Sequence, residues 1–100
     1  MSVFALQLKG AFTVIQISVN NTDTDDIFVV MTDTNTSPPS VVIDNARLNQ
    51  GSSPKVVSVQ EDGNGQGGVT WRATRATDST ISHQGAATPS NLDTVNVYVQ

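Results

Sequence analysis

The chain is predicted to fold as an all-β protein, a single-domain antiparallel β-sandwich of seven or eight short strands spanning residues 1–100. Three observations predict it. The apolar residues are skewed toward β-branching, with fourteen Val and five Ile against four Leu, and twelve Thr add to them. β-Branched side chains are stiff at χ1 and suit a pleated, half-buried surface. Short runs alternate apolar and polar with period two, the pattern of strands with one buried face. Between the runs lie clusters of Asn, Asp, Gly, Pro and Ser, which turn the chain.

The runs follow in order. Phe4, Leu6 and Leu8 alternate with small or polar residues. Ile15, Ile17 and Val19 form the second run, and Ile27, Val29 and Met31 the third. The third also carries Phe28 and Val30 on its other face, which need cover from a loop or another subunit. A short run at Val41 to Ile43 follows, then Val57 and Val59, then Val69, Trp71 and Ala73. Val95, Val97 and Val99 close the chain. No segment sustains a helical period, and a single turn near Asp44 to Leu48 is the most helix expected. Many short strands with frequent turns make a sandwich or a small barrel.

Two stretches resemble immunoglobulin-like sandwich modules. "RLNQGSSPKVVSVQ" carries a Leu, a Gly-Ser turn and then alternating valines, and "VIQISVNNTDTDDIFV" is similar to the hairpins of such modules. The resemblance implies a fold and no activity.

Charge and cysteine content narrow the function. A net charge of −4 with five basic residues opposes nucleic acid and anionic membrane surfaces, which call for clustered Lys and Arg. No apolar run is long enough for a membrane span. With no cysteine there is neither a disulfide framework nor a thiolate metal site. The first ten residues lack the basic region and apolar length of a secretory signal. The compartment therefore stays open between cytoplasm, another export route and a particle.

The stretch "QEDGNGQGGVTW" invites a calcium reading. Gln60, Asp62, Asn64 and Gly65 fall at positions 1, 3, 5 and 6 of the EF-hand pattern. The pattern then fails, because position 1 should be Asp and position 12, here Trp71, should be a bidentate Glu. A turn is the simpler reading. If the flanking strands make a hairpin, a Gly63-Asn64-Gly65 loop pairs Val59 with Val69 and keeps the core faces aligned. If the strands lie in different sheets, the stretch is an arch and that constraint lapses. A weak metal alternative is the acidic cluster Asp23, Asp25 and Asp26, better read as a solvated turn.

No enzyme is expected. His83 is the sole histidine, and the Ser and Asp around it lack the G-x-S-x-G turn of a nucleophile. A surface histidine in a polar loop is the simpler reading. Trp71, in phase with Val69 and Ala73, is expected in the core, with a sugar-stacking platform as the alternative. Tyr98 is expected to be exposed, and Arg72 to lie opposite the core.

The expected function is a non-enzymatic binding module, a small lectin-like carbohydrate-binding sandwich acting as a homo-oligomer. Its ligand residues would be Asp62, Asn64, Asp33 and Asn35 in end loops, with Arg72 and Tyr98 contributing. Amide and carboxylate side chains supply the donors and acceptors that sugar hydroxyls need. No cofactor is expected; calcium is a weak alternative. The partner would be a glycan or copies of the chain itself. The alternative function is a structural, self-assembling subunit of a particle surface or appendage, because few lysines guard the strand edges.

Overall fold

A computed structural model describes residues 13–100. The expected run at Phe4, Leu6 and Leu8 lies outside the described residues. Seven strands follow in chain order: β1 (Val14–Asn21), β2 (Ile27–Asp33), β3 (Ser40–Leu48), β4 (Lys55–Gln60), β5 (Val69–Arg75), β6 (Ser82–Ala87) and β7 (Thr94–Val97). They form two sheets, ordered β4-β1-β7 and β3-β2-β5-β6. The all-β expectation holds. Every paired strand runs antiparallel to its neighbour except β7, which lies parallel to β1.

The alternation in the sequence becomes the core. Ile15, Ile17 and Val19 of β1 face Ile27, Val29 and Met31 of β2 across the gap between sheets, and all six are buried. Val57, Val59, Val95 and Val97 complete one inner face, and Val69, Trp71 and Ala73 the other. Burying each of these Val, Ile and Met side chains is worth roughly 1.5–3 kcal/mol. The two-residue period therefore sets both register and face.

Three local expectations are revised and one is decided. β1 and β2 belong to different sheets, so "VIQISVNNTDTDDIFV" is an arch across the sandwich rather than a hairpin. β4 and β5 are also split between sheets, so of the two readings of "EDGNGQGG" the arch holds and the hairpin with its Val59–Val69 pairing does not form. Asp44 to Leu48 is strand, not a helical turn: β3 continues through a bulge with Asn45 at φ 55°. Asn tolerates that left-handed conformation, and a bulge bends the strand where two residues oppose one.

The third revision is β6. "SHQGAA" has no apolar alternation and contains a Gly, so the sequence reads as loop. It pairs with β5 over its whole length, with Gly85 opposite Trp71 and His83 opposite Ala73. Its glycine has a steric cause. A Cβ on Gly85 would lie 2.4 Å from Trp71 Cζ2. The indole fills the space that a side chain at position 85 would need.

Candidate functional site

The polar side-chain atoms of Asp33, Asn35 and Asp62 are used within the end loops. Asp33 is 3% exposed at the end of β2. Its Oδ1 accepts from the Asn35 N–H at 2.9 Å, and its Oδ2 accepts from the Gln60 N–H at 2.8 Å. Asn35 Nδ2 donates to the Gln60 carbonyl at 2.9 Å and to that of Gln66 at 3.4 Å. Together they tie the β2–β3 loop to the β4–β5 arch. Asp62 Oδ1 accepts from the N–H groups of Asn64 at 2.7 Å and Gln66 at 3.3 Å, folding the arch on itself. Gly63 and Gly65 hold φ of 95° and 84°, which glycine adopts without strain. Asn64 alone of the four stands exposed at the tip with no side-chain bond to another described residue.

The acidic cluster is likewise divided. Asp23 is 6% exposed and accepts from the N–H of Val99 at 3.0 Å and of Thr24 at 2.7 Å, which anchors the chain after β7. Asp25 lies 3.0 Å from Arg75 Nε. That contact is an ion pair whose angle is too bent for a hydrogen bond. Asp26 accepts from the Gln50 N–H and from Arg47 Nη2, both at 2.8 Å. The Gln50 N–H and then the Arg47 guanidinium hold the Asp26 carboxyl below its ordinary pKa. No group of three potential ligands that could hold a metal occurs among the described residues.

The aromatic residues converge instead. Tyr98 meets Trp71 edge-on with centroids 5.3 Å apart and stacks on His83 at 5.2 Å; His83 lies 5.7 Å from Trp71. These separations and tilts are those of favourable aromatic pairs. The cluster has a topological cause. Among the described residues the four-stranded sheet is one strand wider than its partner, so β6 overhangs β7 and no described strand closes that edge. Trp71 is 6% exposed, in the core as expected, while Tyr98 is 37% exposed at the opening.

A cleft of about 310 Å³ runs along this edge. Trp71 and Tyr98 form its apolar wall, and Thr88, Asp93, Thr94 and Asn96 bring polar groups to it. Asp93 is exposed; its Oδ2 accepts from the Ser90 N–H at 2.9 Å, and its Oδ1 has no hydrogen bond to a described residue. Tyr98 is legible in the sequence as an exposed aromatic, whereas Asp93, Asn96 and the contact of His83 with the other rings depend on β6, which has no apolar alternation. Across β6, on the outer face of the four-stranded sheet, lies a second depression of about 510 Å³ around Arg72, as the alternation had placed it.

Comparison with known proteins adds no relative: no family model, no curated protein and no solved structure matches the chain.

Proposed function

We propose that the protein is a non-enzymatic carbohydrate-binding module whose site is the β6–β7 edge cleft. The observation that carries this reading is the Trp71–Tyr98 aromatic wall, backed by His83, with Asp93 and Asn96 lining the same cleft. A sugar presents an apolar C–H face and a rim of hydroxyls. An aromatic wall answers the first, and carboxylate and amide groups answer the second. Tyr98 and Arg72 stay in the ligand set of the sequence reading, while Asp33, Asn35 and Asp62 serve the loops. Asn64 is free for an outer contact. A homo-oligomer would add avidity to a shallow site of this kind.

The test is a glycan array probed with and without calcium. Binding that Tyr98→Ala removes and chelation leaves unchanged supports the reading; silence across the array under both conditions ends it.

One observation favours a second reading, a self-assembling structural subunit. Val14 and Val56, both on the outer side of the three-stranded sheet, are each 60% exposed. Apolar strand surface of this kind is a common subunit contact. Light scattering over a concentration series separates the readings, since a monomer at high concentration speaks against assembly.

A further inference from the structure

We infer that the glycan taken by the edge cleft is an anionic one, whose chain crosses β6 and sets an acidic sugar on Arg72. This inference rests on the carbohydrate reading and names the ligand class of that site. Three observations carry it. First, the edge cleft and the outer depression are both lined by Trp71, Gly85 and Ala86, so only the width of β6 separates them. Among the described residues β6 has a single neighbour, β5. Its outward backbone N–H and C=O groups can therefore meet sugar hydroxyls, and Gly85 lets a ligand approach the main chain closely.

Second, Arg72 has no acidic partner among the described residues. Arg47 holds Asp26 and Arg75 holds Asp25, whereas Arg72 makes no ion pair or side-chain hydrogen bond with a described residue. It stands exposed between Val30 and Gln84 in register. Asp44, in the β3 bulge, is two strands away, about 10 Å at the usual strand spacing.

Third, the depression around Arg72 has no carboxylate in its lining, and Thr32, Thr70 and Gln84 supply neutral hydrogen-bonding groups. A guanidinium in such a frame matches a carboxylate or sulfate bidentately. Asp93 on the other side of β6 repels a like charge, so the sugar in the cleft is neutral and the acidic unit follows it.

The experiment compares binding of wild type, Arg72→Gln, Arg72→Lys and Tyr98→Ala to an array of neutral, uronate-bearing and sulfated oligosaccharides. Thermal melts of each variant verify folding. Wild type is expected to prefer uronate-bearing or sulfated chains. Arg72→Gln should weaken those by about tenfold or more, the value of one charge-assisted contact, with the melt unchanged. Arg72→Lys should retain part of the binding, and the uronate and sulfate arms identify the acid group. Neutral chains binding as well as acidic ones, with Arg72→Gln indifferent, would overturn the inference and leave the carbohydrate reading standing. Silence of wild type toward every oligosaccharide would sink both.

Discussion

Trp71 and Gly85 face each other across the β5–β6 pair so closely that position 85 has no room for a methyl group: a Cβ there would lie 2.4 to 2.9 Å from three atoms of the indole. This contact shapes the edge of the sandwich. It holds the only tryptophan at the mouth of the cleft, and it explains why an edge strand carries a glycine.

Gly85→Ala is expected to destabilise the fold by roughly 1–3 kcal/mol, the usual cost of overpacking. Trp71→Ala should cost more, about 3–5 kcal/mol, because it empties a large buried volume. The two changes should not add. In the Trp71→Ala background, Gly85→Ala loses its clash, and a urea-denaturation double-mutant cycle should record that coupling.

Asp33→Ala is expected to lower stability by about 2–4 kcal/mol, since it strands the N–H groups of Asn35 and Gln60 in a region where the carboxylate is 3% exposed. Asn64→Ala, at the exposed tip of the joined loop, should change stability by less than about 0.5 kcal/mol. Equal losses from the two substitutions in chemical denaturation would contradict the division of labour between them.

Leu92 sits at φ 71° with 74% of its surface exposed. A left-handed conformation costs a non-glycine residue about 1–2 kcal/mol, and little burial compensates here. Leu92→Gly is expected to raise stability by up to about 1 kcal/mol, measured as an increase in the denaturation midpoint. A fall of similar size would mean that the leucine side chain contributes a contact.

Half-buried Asp26 and exposed Asp78 have depressed pKa values: Asp26 through the Gln50 N–H and Arg47, and Asp78 through the Thr80 hydroxyl and N–H. A carboxyl bound more strongly as the anion when folded contributes stability above its unfolded pKa, about 3.9. That contribution is lost as pH falls through the lower folded pKa. Melting temperature should therefore drop below about pH 4, and the double variant Asp26→Asn/Asp78→Asn should show a shallower acid limb. An unchanged limb would show that other carboxyls govern it.

The sequence made the core legible and the edge illegible, for one physical reason. Buried faces leave a two-residue apolar period, so β1, β2, β4, β5 and β7 could be read from Ile17, Val29, Val59, Trp71 and Val97. β6 buries almost nothing of its own. Position 85 is held to Gly by the Trp71 side chain 14 positions earlier, a constraint that no local window contains. The bulge in β3 hid the rest of that strand in the same way, by breaking the alternation at Asp44 and Asn45. The site followed the fold. Tyr98 was legible as an aromatic out of phase with the terminal valines, but Asp93 and Asn96 became neighbours of Trp71 only through the overhang of β6. Asp33 and Asn35 had the chemistry of ligand residues, and the pairing of loops from different sheets turned that chemistry inward.

The central claim is that ligand enters beside Trp71 rather than at the loop tip. Because the chain has one tryptophan, its fluorescence reports on that cleft alone. The most direct measurement is a titration of Trp71 emission with the oligosaccharides bound on the array. A saturable change that Tyr98→Ala abolishes and Asn64→Ala preserves is the predicted result. Binding by calorimetry with no change in Trp71 emission, and loss of that binding in Asn64→Ala, would contradict it.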